Sequence, residues 1–275
     1  MIKHIVQLPT SDALRIAVVG AGGNGAQMAS GLAQIAVAQR SFGAQPLEVV
    51  IFDDDLVSEA NVGRQLFSPS DVGRPKADVL VERINAFYGF SWESRPVRFT
   101  AESFVARYGY AHRLFHVLIG AVDSAASRVA IGEALESAAW AAVYWLDLGN
   151  RERSGQVVLG AFQRRKLLLP TVLDLYPELC DPNFAEQDQG PSCSLAEALY
   201  KQDLFVNRDV TTPALHLLWE LLHKRVLESH GCITNLETLR RMPLPVDPAQ
   251  WKRMNPNLVV DGALQFLQGL PDKAA

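Results

Sequence analysis

Along this chain, short and nearly unbroken apolar runs take turns with longer stretches in which apolar residues recur at helical spacing. Residues 14–19 and 47–52 are runs dominated by Ile, Val, Leu and Ala, and residues 115–121 and 142–147 are two more. Apolar runs of that length without strict alternation fit strands covered on both faces, as in a parallel sheet. Residues 26–39, 77–87 and 124–139 read as helices, the second opened by Pro75. Residues 93–100 alternate weakly and read as a further strand, and residues 103–110 as a short helix. Regular exchange of strand and helix predicts a doubly wound, Rossmann-like α/β fold with a mostly parallel sheet.

The pattern changes after Gly149. Residues 155–162 read as an antiparallel strand, and residues 170–193, rich in Pro, Asp and Asn, as a loop. A short helix is expected at 194–200. Thr212 as cap and Pro213 at the first helical position predict a long helix from 213 to about 227. Leu215, Leu218, Leu221, Leu222 and Val226 give that helix a wide apolar face. A strand-like piece follows at 233–236, then an irregular, Pro-rich tail. The expected organisation is a core over residues 1–160, with residues 1–13 as a leader, and a C-terminal extension over residues 161–275 packed on the same domain.

Composition narrows the function classes. The chain has 275 residues, 48% apolar and 20% charged, with a formal net charge of −4. A mildly acidic chain without a basic run is a poor nucleic-acid binder; its densest cations are Arg164, Arg165 and Lys166. The N-terminus lacks the apolar core of a signal peptide, and no apolar stretch is long enough to cross a bilayer. Cys180, Cys193 and Cys232 are the only cysteines and form no Cys-x-x-Cys pair. A disulfide framework and a four-cysteine zinc site are therefore not expected, and a reducing cytoplasm is.

The candidate chemistry begins at Gly20-Ala21-Gly22-Gly23-Asn24-Gly25, a G-x-G-x-x-G turn between a predicted strand and a predicted helix. Such glycines let the backbone approach phosphates at a helix N-terminus, so Gly20, Gly22, Gly23 and Gly25 are candidate nucleotide-binding residues. Asp53, Asp54 and Asp55 end the second strand, where an acid can accept hydrogen bonds from ribose hydroxyls. Taken with the turn alone, Asp53 is compatible with an NAD-dependent oxidoreductase and disfavours the 2′-phosphate of NADP. Asn61, Arg64 and Gln65 follow, and Lys76 precedes the next helix. An Arg fork and a Lys point charge can together neutralise a triphosphate. Asp123 ends the fourth strand, where a carboxylate beside a triphosphate can hold Mg²⁺, or simply cap the helix after it.

Taken in order, Gly20/Gly22/Gly25, Asp53, Asn61/Arg64/Gln65, Gly73/Lys76 and Asp123 resemble the ThiF/MoeB superfamily, which includes the ubiquitin-activating enzymes. The resemblance covers residues 14–160. Residues 190–227, with Pro191-Ser192-Cys193-Ser194 and Gln202-Asp203-Leu204-Phe205-Val206-Asn207, are similar to the ThiF-type proteins of bacterial PRTRC gene clusters. The resemblance implies an ATP-dependent adenylyltransferase that activates the C-terminal glycine carboxylate of a small ubiquitin-like protein, of the ThiS/MoaD kind, as an acyl-adenylate. It implies Asp53, with Asp55 nearby, for the ribose, Arg64 and Lys76 for phosphates, Asn61 and Gln65 for positioning, and Asp123 for Mg²⁺. It also implies a homodimer. The chain departs from many relatives in lacking their paired Cys-x-x-Cys zinc sites. Only Lys3 precedes Arg15, where many relatives carry an Arg that reaches the partner subunit's nucleotide.

Ser194 and Glu197 form a Ser-x-x-Glu capping box, which places Cys193 just before a helix N-terminus, where a thiolate is stabilised. Cys193 is therefore a candidate acyl acceptor, weighed against a small half-buried side chain in a turn. Cys180 lacks such a setting, and Cys232 reads as structural. A non-catalytic nucleotide-binding scaffold for a ubiquitin-like partner is a third reading beside adenylyltransferase and oxidoreductase.

Overall fold

The computed structural model describes residues 2–10, 12–100, 115–138, 142–163, 166–181, 202–264 and 266–269. Its first half follows the apolar pattern closely. Strands β2 (Leu14–Val19) and β3 (Leu47–Phe52) flank helix α1 (Gly23–Ser41), and α2 (Lys76–Tyr88) leads to β4 (Glu93–Arg95). Strand β5 (Val117–Gly120), α3 (Ala125–Ala138) and β6 (Val143–Asn150) complete the alternation. Every residue of β2 and β5 is buried, because α-helical layers cover both faces of a parallel sheet. The parallel part runs β4-β3-β2-β5-β6. The expected strand at 93–100 ends at Arg95, and the helix expected at 103–110 lies outside the described residues.

After β6 the sheet continues antiparallel. Strand β7 (Ser154–Gln163) folds back on β6 and also pairs with β8 (Lys166–Leu169). A single-turn helix α4 (Val172–Leu175) follows, capped by the Thr171 hydroxyl, which accepts from Asp174 N. Helix α5 (Val206–Trp219) then covers the sheet beside α1, and a π-helical turn carries it to Lys224. Strand β9 (Val226–Leu227) leads into β10 (Ser229–Asn235), which pairs with β7 and forms a hairpin with β11 (Arg240–Pro245). Helices α6 (Pro248–Met254) and α7 (Asp261–Leu264) and strand β12 (Leu267–Gln268) close the described chain. Strands β12, β1 (Lys3–Ile5) and β9 make a separate three-stranded sheet. Among the described residues no helix is long and apolar enough to cross a membrane.

Two sequence expectations need correction. The described tail is largely regular: Pro243 and Pro245 lie on edge strand β11 and Pro248 at the first turn of α6, positions where proline is tolerated, and Pro256 follows α6. The leader carries β1, which pairs on both edges. The long helix does not open at Thr212 and Pro213. It begins at Val206, and Pro213 lies in its interior. Proline there removes a backbone donor to the carbonyl of Asp209. Arg241 supplies a substitute, with Nη2 3.2 Å from Asp209 O and 2.8 Å from Asp209 Oδ1. Thr212 caps nothing; its hydroxyl donates back to Arg208 O at 2.8 Å. The apolar face of this helix is spent within the chain, with Leu218 and Leu221 fully buried and Leu215 filling the space above Gly31 of α1.

A buried polar chain ties the small sheet to the large one. His4 Nε2 lies 2.9 Å from the Tyr144 hydroxyl, which also accepts from Gln7 N. Trp251 Nε1 donates to His230 Nε2 at 2.8 Å, so His230 keeps its proton on Nδ1, 2.9 Å from Leu159 O. Burial, with His230 nearby, lowers His4 to about 3, and burial lowers His230 to about 4 against its bond to Leu159. Both imidazoles are neutral in the fold, whereas the unfolded chain protonates them near pH 6.5. The unfolded state then binds more protons below pH 6.5, so stability present at neutral pH is lost as the pH falls toward 4. In His230→Gln, whose amide can both accept from Trp251 and donate to Leu159, the loss between pH 6.5 and 5 should be shallower by about one proton, ~1.4 kcal/mol per pH unit. Urea unfolding at pH 7, 6 and 5 checks this; equal slopes in both proteins would exclude it.

Candidate active site

Strand order reverses at β2, which lies between β3 and β5. The carboxyl ends of these strands form the crevice where open α/β sheets hold ligands. Gly20 sits there at φ +95, and a methyl group on it would stand 2.6 Å from the Ala121 carbonyl oxygen. A methyl on Gly25 would stand 1.8 Å from the Gly20 oxygen. These two glycines let the turn close on itself and against the loop after β5. At Gly22 only the Gln65 side chain comes near, 3.9 Å from where a Cβ would lie. Helix α1 starts at Gly23 without a side-chain cap or an acid in its first turn, leaving its positive end for an anion.

The acids after β3 divide their work. Asp53 Oδ2 accepts from Ala21 N at 2.5 Å and Oδ1 from Asp55 N at 2.9 Å, so this carboxylate fixes the glycine turn itself. Burial holds its pKa above the ordinary carboxylate value, opposed by the Ala21 N–H and by Lys76. Asp55 Oδ2 receives Lys76 Nζ at 2.7 Å, and Lys76 is buried although its partner is exposed. One ammonium donor is thus engaged and the charge is directed at the acid loop. Asn61 Oδ1 accepts from Ser58 N at 2.9 Å, closing a capping box around the turn Glu59–Asn61. Its side chain shapes the loop that delivers Arg64 and Gln65.

Arg64 Nη1 donates to Gln202 Oε1 at 2.7 Å, while its Nε is buried without a partner. Burial lowers the pKa of this guanidinium, which marks a cation with less than its full complement of polar company. Gln65 Oε1 is likewise buried and unpartnered. Asp123 is exposed beyond β5 and is not the helix cap, because the Ser124 hydroxyl accepts from Ser127 N at 3.1 Å. Its carboxylate has no partner among the described residues. The structure therefore gathers the glycine turn, Asp53, Asp55, Asn61, Arg64, Gln65, Lys76 and the loop carrying Asp123 around one crevice. Cys193 lies outside the described residues. Cys232 is buried in β10, where burial pushes its thiol up to about 11.

A triphosphate fits this donor set. The turn leaves space at Gly22 before the uncapped α1 N-terminus, and Arg64 and Lys76 lie on the segments that hold Gln65 and Asp55 against that turn. Mg²⁺ fits as an ion held by Asp123 together with phosphate oxygens, the usual arrangement for that cation. Among the described residues no group of three or more His, Cys, Asp or Glu side chains is placed to hold a metal without them.

Sequence reasoning missed three contributors. Arg128, on α3, lies with Nε 3.1 and 3.2 Å from the two oxygens of Asp147, and its Nη2 donates to Val122 O at 2.8 Å. It thereby holds the loop that ends in Asp123. A carboxylate within an otherwise apolar strand was the available signal, since charges are rarely fully buried without a partner. Gln202 and Asn207 were noted only as part of a resemblance, and nothing local in the sequence places them at the glycine turn.

The chain is similar to solved structures of the same fold. With a crystal structure of SeMet PaaA it gives a TM-score of 0.56 at 14% identity, covering 85% of this chain and 64% of that one. With a crystal structure of E. coli MccB with ATP it gives 0.55 at 13% identity, covering 86% and 64%. The chain thus spans less than two thirds of the length of these proteins. The ThiF family matches residues 7–212, most of the length described above. On that match, and on the fold and glycine turn it covers, the chain belongs to the ThiF family.

Proposed function

We propose that the chain is an ATP-dependent adenylyltransferase that activates the C-terminal carboxylate of a small ubiquitin-like protein. The observation that carries this reading is that Gln65, next to Arg64, lies nearest Gly22 at the uncapped N-terminus of α1, while Lys76 is tied to the same turn through Asp55 and Asp53. A dinucleotide dehydrogenase has no use for that second set of cations. The likeness to MccB, solved with ATP, supports the same reading. A carboxylate oxygen attacks the α-phosphorus; the new C–O–P bond forms as the bond to pyrophosphate breaks, and pyrophosphate leaves with the electron pair. The carboxylate is already ionised and needs no general base. Its obstacle is repulsion from the triphosphate, which Arg64, Lys76 and the helix dipole offset. Mg²⁺ on Asp123 would neutralise phosphate charge.

In this reading residues 1–160 are the adenylation core and residues 161–275 its extension, in a cytoplasmic protein related to the PRTRC-cluster ThiF proteins. The homodimer rests on family resemblance alone, because α1 already covers the apolar face of α5.

Calorimetry should show Mg·ATP binding and no NAD binding. With a small protein ending in Gly, the chain should exchange pyrophosphate into ATP. Arg64→Ala or Lys76→Ala should slow exchange on the order of a hundredfold. Asp123→Ala should remove the Mg²⁺-dependent turnover without lowering the melting temperature. NAD binding without ATP binding would overturn the assignment, and sedimentation as a monomer at micromolar concentration would remove the dimer.

A further inference from the structure

Helix α5 runs alongside α1 in the same direction. Asn207 stands against Gly23, Thr211 Oγ1 donates to Gln27 Oε1 at 3.0 Å, and Leu215 covers Gly31. Contacts that advance four residues at a time on both helices fix a parallel pair, with both N-termini at the nucleotide crevice. The N-terminus of α5, like that of α1, has no side-chain cap. Its first turn carries Asn207, which is 3% exposed. A Cβ on Gly23 would stand 2.3 Å from Asn207 Nδ2, so the donor end of the amide is turned to the first residue of α1. That nitrogen is buried and has no hydrogen-bond partner among the described residues. An amide donor in such a position costs free energy unless a ligand meets it. Five residues earlier in the chain, Gln202 accepts from Arg64.

We propose that Asn207 and the N-terminus of α5 form the second half of the phosphate cradle, with Asn207 Nδ2 donating to a phosphate oxygen of the nucleotide. The α5 end carries Asp209 in its first turn, paired with Arg241, and Asp203 Oδ1 accepts from Phe205 N, so its contribution to the crevice rests on the aimed Asn207 amide. The assignment deepens the reading of the chain as an ATP-using enzyme and rests on it for the identity of the ligand. Its anion-binding part can be measured separately with inorganic tripolyphosphate.

The test is calorimetric titration of wild type, Asn207→Ala and Asn207→Ser with ATP, adenosine and tripolyphosphate, with melting temperatures recorded without ligand. Loss of one donor to a phosphate should weaken ATP and tripolyphosphate about tenfold, leaving adenosine and melting temperature unchanged. On wild-type protein, the assigned side-chain amide resonance of Asn207 should move with ATP and not with adenosine, which decides the matter even if a variant fails to fold. Variants that bind ATP as wild type does, equal losses for ATP and adenosine, or an unmoved amide resonance would overturn the assignment. Wild type that binds tripolyphosphate through Asn207 but not ATP would uphold the anion site and overturn the functional reading instead.

Discussion

Gly25→Ala is expected to destabilise the protein by more than about 3 kcal/mol and to abolish nucleotide binding. Its methyl group would stand 1.8 Å from the carbonyl oxygen of Gly20, a backbone atom in the turn. Overpacking ordinarily costs ~1–3 kcal/mol, because side chains can yield. Here the obstacle is a turn whose own position is fixed by Gly20 N on Phe52 O and by Ala21 N on Asp53, so relief requires opening the turn. Gly43 makes the control: it is also a glycine of a helix–strand connection, with nothing within 4 Å of an added methyl. There, only the φ of +65 is strained, and Gly43→Ala should cost on the order of 1 kcal/mol. Urea unfolding of the two variants should separate them widely; similar small losses would mean that the turn yields.

The Arg128–Asp147 pair should give the second large effect. Asp147 is fully buried and Arg128 nearly so. Burial raises the Asp147 pKa, and Arg128 opposes the rise. Asp147→Ala would strand a buried guanidinium and should cost about 3–5 kcal/mol. The double variant Arg128→Met/Asp147→Leu removes both charges and should recover most of that loss. Its adenylation activity should not recover, because Arg128 also holds Val122 O, one residue before Asp123. Equilibrium unfolding together with pyrophosphate exchange would show the split. A double variant with both stability and activity restored would confine the pair to packing.

The parallel half of the fold was legible because its strands are buried on both faces and carry unbroken apolar runs. The edges of the glycine turn and of α2 were legible because Gly, Pro and acid positions act locally. What failed to show in the sequence depends on distant partners. Pro213 marks a helix start by every local rule, yet Arg241 on another strand makes it tolerable mid-helix. Strands β1 and β12 are so short that only mutual pairing defines them. In the site, the structure places the glycine turn against Asp53 and Gln65. The engagement of Asp53 with Ala21 N and of Asn61 with Ser58 N was invisible, since both bonds require knowing which loop folds over which.

The parallel pairing of α1 with α5 also sets an order of events during synthesis. Gly31 leaves a notch in α1 that Leu215 fills, and Asn207 reaches Gly23 from a segment made much later. A chain emerging from the ribosome N-terminus first can form β2, α1 and β3 early. It must then hold an apolar, Ala-rich helix face uncovered until α5 arrives. In that window the nascent protein is exposed to aggregation and to chaperones, and mutations at Leu215 or Leu218 would weaken the contacts that close it.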